Sequence, residues 1–294
     1  MRLWQWVILV IVVVGAGVGI YMLTPVNGPA RDVTLVGDAT HGEYLIRLGG
    51  CVTCHTDPQN ETAELAGGAG LPTPFGTFYP PNITSSQTAG IGNWTLAQFS
   101  KALSDGEGPQ GHLYPAFPFD SYTLMSDQEI GDLHAALLAR PANDTPSRAH
   151  EVGFPFNVRL AMAGWKHLFF KPQRFVADAG QTDEWNRGKY IVFGPGHCVT
   201  CHSPRNLLGG IDAGKELAGN PAGGPAGKTP SILKADLEKH QYTVDGVVTV
   251  LTENLTPGFD SLIGAMGEVI EDETSHWTDE DKRAVAVYLL SGAM

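Results

Sequence analysis

The chain opens with one long apolar run and continues as short amphipathic segments separated by loops rich in glycine and proline. Positions 7–23 carry no charge, and a membrane span needs ~20 apolar residues. Trp4, Trp6 and Tyr21 stand near the two ends of the run, where an interfacial aromatic belt would lie. We therefore predict a single transmembrane helix within residues 1–25, with a cleaved signal peptide as the alternative.

Two later segments carry clear helix signals. Ser126 and Glu129 form a capping-box pattern, followed by apolar residues at helical spacing, and Thr278 opens a second such segment near the C-terminus. Between these helices the many glycines (36) and prolines (20) indicate ordered loops. The pattern predicts an all-α fold.

All four cysteines lie in two copies of the motif C-x-x-C-H. This spacing is the attachment signature of c-type haem, in which two thiols bind the haem covalently and the adjoining histidine binds the iron. We predict two covalently bound haem c groups. The attachment residues are Cys51, Cys54, Cys198 and Cys201, and the proximal iron ligands are His55 and His202.

The two motifs belong to an internal repeat. Residues 42–45 (Gly-Glu-Tyr-Leu) precede the first motif, and residues 188–191 (Gly-Lys-Tyr-Ile) precede the second. We predict an anchor and two tandem cytochrome c domains joined by a connector, whose apolar run at 158–170 predicts a packing helix. The boundaries are 1–25 for the anchor, 26–140 for the first domain, 141–183 for the connector and 184–294 for the second domain.

An electron carrier closes the distal side of its iron with methionine or histidine. Of the six methionines, four lie in the anchor, in the connector or at the C-terminus. The remaining two are Met125, predicted as the distal ligand of the first haem, and Met266, predicted for the second. His112 is the alternative to Met125.

Acidic residues (31) outnumber basic ones (19), which gives a formal charge of −12 and argues against a nucleic-acid partner. Acidic side chains crowd positions 268–281, directly after Met266. This run indicates either a solvated surface or an acidic docking surface for a basic redox partner.

Beyond the haem motifs, the chain from about residue 40 to its end resembles the dihaem cytochrome c family that includes the cytochrome c subunits of bacterial membrane-bound alcohol, gluconate and related dehydrogenases. Many members of that family carry methionine where this chain has Phe117, so that ligand does not carry over. The resembling stretches are 42–56, 74–84, 90–95, 113–118, 154–159, 162–165 and 194–208.

Arg2 before the apolar run favours a cytoplasmic N-terminus by the positive-inside bias, and we predict an inner-membrane protein with periplasmic haem domains. The periplasmic location agrees with what the resemblance implies. The resemblance also implies transfer of single electrons from a partner dehydrogenase to the respiratory chain, where the acceptor is a cytochrome, a quinone or a terminal oxidase. The alternatives are a dihaem enzyme, either a peroxidase or a thiosulfate-oxidising cytochrome, and a haem subunit of a terminal oxidase. An enzyme needs an open iron, so two candidate distal methionines favour the carrier without settling whether the chain is an enzyme.

Overall fold

The computed structural model describes residues 2–57, 59 and 63–292. Helix α1 (Leu3–Met22) has no buried residue along its whole length. Within the described residues it is the one helix long and apolar enough to cross a membrane. The chain therefore has an N-terminal apolar helix suited to a membrane anchor or to a signal sequence.

Helices dominate the rest of the chain, as the sequence predicts. The first half contains α2 (Ala39–Leu48), α3 (Cys51–His55), α4 (Leu96–Asp105), α5 (Phe119–Tyr122) and α6 (Asp127–Ala139). The second half contains α7 (Ala161–Phe169), α8 (Asp183–Phe193), α9 (Cys198–Cys201), α10 (Lys234–Lys239), α11 (Val244–Glu253), α12 (Ala265–Asp272), a 3₁₀ turn (Thr274–His276) and α13 (Asp279–Ser291).

In each half, the helix before the cysteine motif crosses the last helix at a glycine. A methyl group on Gly42 of α2 would lie 2.0 Å from the carbonyl oxygen of Asp132 in α6. A methyl group on Gly188 of α8 would lie 2.0 Å from the carbonyl oxygen of Ala284 in α13. The same close backbone approach therefore recurs in both copies of the repeat, and it places each cysteine motif at the end of a helix packed on the last helix of its half.

The predicted helix starts are confirmed. Ser126 Oγ accepts from the backbone N–H of Glu129 at 3.2 Å, and the Glu129 carboxylate accepts from the Ser126 N–H at 2.9 Å. Thr278 caps α13 by accepting from the N–H of Asp281 at 3.2 Å. These caps satisfy N–H groups that a helix leaves without a partner.

The all-α prediction is only partly right, because the loops contain five short strands within the part of the chain that the structure describes. A three-stranded antiparallel sheet of order β1-β2-β5 joins the loop after the first motif to the connector, and β3 and β4 form a hairpin. Gly76 makes the turn into β2 with a φ of 131°, a conformation that favours glycine. The strands are β1 (Leu71–Thr73), β2 (Gly76–Phe78), β3 (Glu107–Gly108), β4 (Gly111–His112) and β5 (Glu151–Val152).

The predicted connector helix is present as α7, and it lies against the end of α1. The rings of Tyr21 and His167 are 4.5 Å apart, and His167 Nε2 lies 3.0 Å from the carbonyl oxygen of Thr24. On its other side, Trp165 packs with Phe119 and Phe170 in a small apolar cluster. The connector thereby joins the exit of the apolar N-terminal helix to the first half of the chain.

Candidate haem-binding sites

The first C-x-x-C-H motif forms the short helix α3. It begins after Gly50, whose φ of 63° allows a sharp turn out of α2. His55 is 8% exposed, and its Nδ1–H donates to the carbonyl oxygen of Pro81 at 2.6 Å. Burial lowers the pKa of His55 to about 4, so the imidazole is neutral at physiological pH. The hydrogen bond at Nδ1 leaves Nε2 as the nitrogen able to bind a metal.

The second motif repeats this arrangement in α9. His197, which precedes Cys198, has a φ of 34° and makes the turn that Gly50 makes in the first motif. The Nδ1–H of His202 donates to the carbonyl oxygen of Pro230 at 2.8 Å, and burial lowers the pKa of this imidazole. In both motifs a prolyl carbonyl thus fixes the same tautomer and presents Nε2.

The donor set fits two c-type haems. All four cysteines are free thiols, two in each motif, and each pair is followed by a neutral histidine with Nε2 available. Covalent haem attachment needs two thiols and one imidazole at this spacing. The residues of both motifs therefore match the requirements of the group.

The two motifs lie close to one another in the folded chain. Burial raises the pKa of Cys54 to about 12, and the charges of Glu273 and of Cys201 in the other motif add to that rise. Tyr122 donates to the carbonyl oxygen of Gly49 at 2.6 Å, two residues before the first motif. Its ring also lies 5.7 Å from that of His197, directly before the second. No pattern in the sequence predicts this contact, because it depends on how the two halves pack.

The candidate distal ligands occupy different environments. Met125 directly precedes the cap of α6 and is 1% exposed in the main core, which also contains Val52 of the first motif. Met266 is the second residue of α12 and packs at the edge of the same core. His112 lies in β4, where its Nδ1 is 3.1 Å from Lys166 Nζ, so a buried lysine already engages it. Met125 therefore lies in the core beside the first motif, whereas His112 lies in a hairpin against Lys166.

Phe117 stands where the resemblance predicts methionine in many family members, and its ring lies 5.2 Å from the ring of Tyr122. An aromatic pair at this separation is an ordinary packing contact. Phe117 therefore helps to fix Tyr122 beside the first motif.

The acidic run after Met266 is not a single surface. Glu273 is 2% exposed and Asp281 is 6% exposed, and Asp281 is paired with Arg187 at 2.7 Å. The expectation of one docking surface across this run is therefore wrong for these two residues. The exposed acids in the run are Glu268, Glu271, Asp279 and Glu280.

Comparison with known proteins assigns the family, although no family model matches the chain. The chain is 38% identical over 286 residues to a "Diheme cytochrome c-type" protein of Cereibacter sphaeroides, covering 96% of this chain and 95% of the relative. It is 35% identical over 267 residues to the fructose dehydrogenase cytochrome subunit of Gluconobacter japonicus, covering 86% of this chain and 52% of that subunit.

A third relative is the cytochrome c subunit of the quinone-dependent alcohol dehydrogenase of Gluconobacter oxydans, 34% identical over 260 residues, with 85% of this chain and 54% of the subunit covered. The chain thus spans about half the length of these two dehydrogenase subunits. It spans nearly the whole of the dihaem relative. With two attachment motifs and a relative of matching length, the chain belongs to the dihaem c-type cytochromes and carries two covalently bound haem c groups.

Proposed function

We propose that this protein is a membrane-anchored periplasmic cytochrome that transfers single electrons from a partner dehydrogenase to the respiratory chain. Several relatives are cytochrome subunits of alcohol, fructose and gluconate dehydrogenases, which supports a dehydrogenase as the donor. The acceptor is a cytochrome, a quinone or a terminal oxidase. The exposed apolar helix α1 supports anchoring, and Arg2 before it favours a cytoplasmic N-terminus.

The proposed assignments follow the two motifs. Cys51 and Cys54 attach the first haem, and Cys198 and Cys201 attach the second. His55 and His202 bind the irons from the proximal side, and Met125 and Met266 bind them from the distal side. When bound, haem c supplies one-electron redox chemistry. The protein would then consist of two tandem cytochrome c domains, 26–140 and 184–294.

The observation that carries this proposal is the proximity of the two attachment motifs. Cys54 lies within electrostatic reach of Cys201, and Tyr122 contacts the segments that precede both motifs. Two redox centres held this close by one shared core suit relay of electrons through the chain. An enzyme that binds its own substrate would need an open iron, whereas each half offers a methionine for the distal position.

Haem content and distal access test the proposal. Intact mass of the parent should show two haem additions, and replacing both cysteines of one motif by serine should remove one of them. The reduced parent should bind carbon monoxide slowly, because both irons carry two protein ligands. Rapid binding by the parent, or turnover of hydrogen peroxide, would instead support the enzyme alternative.

The distal ligands are tested by leucine substitutions. Met266→Leu should abolish the weak absorption near ~695 nm of the second ferric haem and lower its potential, because the thioether favours the ferrous state. Met125→Leu should do the same at the first haem. Met162→Leu in α7 is the matched control, since this methionine packs in the small cluster of the connector. A spectrum of Met125→Leu identical to that of the control would show that the first iron takes another ligand.

A further inference from the structure

Glu273 is a buried acid whose carboxyl group lies against the first attachment motif. It follows α12 directly, and only 2% of its surface is exposed. A methyl group on Gly50, the residue before Cys51, would lie 2.7 Å and 2.9 Å from the two carboxyl oxygens. Only glycine leaves room for this contact, so the carboxyl group is packed at the base of α3.

The charge of Glu273 acts on the pKa of all four attachment cysteines. Among charged groups it has the largest effect on the pKa of Cys51 and of Cys54, which it raises. It also raises the pKa of Cys198 and of Cys201, and at Cys198 its effect is the smallest of the contributions. The Gly50 contact therefore places Glu273 at the first motif, and its charge also acts on the cysteines of the second.

The groups around Glu273 do not neutralise it fully. Arg47 of α2 directs its guanidinium to the carbonyl oxygen of Asp272 at 3.1 Å and to the carboxylate of Glu64 at 3.4 Å. The pKa of Glu273 is raised to about 7: burial is the main cause and the charge of Asp272 contributes, while the Thr53 hydroxyl and Arg47 oppose the rise. The titratable or charged groups that face this carboxyl are Arg47, Asp272, Tyr122 and the four cysteines.

Resting on the function proposed above, we propose that Glu273 is a positioning residue for electron transfer. When it is ionised, Glu273 lowers the reduction potentials of both haems. It takes up a proton when the haems are reduced. A carboxylate stabilises the oxidised state of a neighbouring redox centre, because that state carries one more positive charge. Each electron delivered by the donor removes that positive charge. The carboxylate of Glu273 then binds a proton from the solvent more tightly, and it releases the proton when the electron leaves.

The sign of the pH dependence follows from this linkage. Below the pKa of Glu273 the carboxyl group is neutral and both potentials are high. As pH rises through neutrality the group ionises and both potentials fall. The fall should be larger for the first haem, because the carboxyl group of Glu273 packs against Gly50, directly before Cys51.

The test is a redox titration of the purified full-length protein from about pH 5 to about pH 9, a window that spans both protonation states. We compare the parent with Glu273→Gln, which keeps the shape of the side chain and removes the charge. In the parent both midpoints should fall as pH rises through neutrality. In the variant both midpoint potentials should stay, at every pH, at the high value that the parent shows in acid. At alkaline pH the variant should therefore exceed the parent in potential, and the difference should be larger at the first haem.

Glu271→Gln is the matched control, since Glu271 lies two residues away and is exposed. It should keep the pH dependence of the parent. Glu273→Asp retains a carboxyl group and should restore a pH-dependent potential, which a merely structural role would not do. Potentials of Glu273→Gln that track the parent across the pH series, or parent potentials that stay flat, would overturn the proposal.

Haem content measured on the same samples separates the two proposals. A parent whose intact mass shows fewer than two haems would count against the proposed attachment sites themselves. Two haems with unaltered pH dependence in Glu273→Gln would count against Glu273 alone.

Discussion

The glycine at the crossing of α2 and α6 gives a sharp prediction about stability. A methyl group on Gly42 would lie 2.0 Å from the Asp132 carbonyl oxygen and 2.6 Å from Ala136 Cβ. Both neighbours belong to α6, so the clash with the added methyl group is removed only if α2 and α6 move apart. Overpacking of this kind costs up to ~3 kcal/mol. Alanine recovers ~1 kcal/mol of helix propensity, so Gly42→Ala should lose about 2 kcal/mol.

The matched control is Gly131→Ala in α6, which lies beside Gly37, just before α2. A methyl group there would meet only Gly37 Cα, at 3.9 Å, which is ordinary contact. This variant should therefore gain ~0.5–1 kcal/mol from reduced freedom of the unfolded chain. Gly188→Ala should behave like Gly42→Ala, because the second crossing has the same 2.0 Å approach.

Thermal unfolding followed by far-ultraviolet circular dichroism measures these changes. Because the two halves share one core, a loss of about 2 kcal/mol corresponds to a fall of about 4–8 °C in Tm for a unit of roughly 250 residues. Gly42→Ala and Gly188→Ala should therefore melt clearly below the parent, and Gly131→Ala slightly above it. Equal Tm values for Gly42→Ala and Gly131→Ala would refute the packing argument.

Three further predictions follow from other contacts. Burial raises the pKa of Asp281, but hydrogen bonds from Arg187 and Tyr44 outweigh it and hold that pKa below its usual value. Its stabilisation is complete above the unfolded pKa of ~3.9 and is lost as pH falls through the folded value. Asp281→Asn should thus lose about 2 kcal/mol at neutral pH, and its urea midpoint should change less with acid than that of the parent. Replacing the exposed Glu268 and Glu271 by glutamine should slow electron transfer to a basic cytochrome and weaken the salt dependence of that rate. If stopped-flow rates of this variant equal those of the parent across a salt series, these two residues do not belong to the docking surface. A chain in which a cleavable export signal replaces residues 1–25 should leave the membrane fraction and keep two haems by intact mass, whereas retention in washed membranes would place the anchor elsewhere.

Local features of this protein could be predicted from the sequence because their physical causes are local. A membrane-spanning run, a helix cap and a C-x-x-C-H motif each depend on residues within a few positions of one another. The sequence alone therefore predicts the apolar helix α1, the caps at Ser126 and Thr278 and the two haem groups. The short strands were not, because β2 pairs with β5 far along the chain.

The tertiary structure decided which distant groups meet. Nothing near position 273 distinguishes that acid from Glu271, yet one is buried against Gly50 and the other is in solvent. The same holds for Tyr122 and His197, whose rings touch only because the two halves pack together. Burial and proximity are properties of the packed chain, and they decide the charge, the potential and the pKa of these groups. The sequence by itself determined the kind of redox centre this protein holds, and the fold determined which residues surround it.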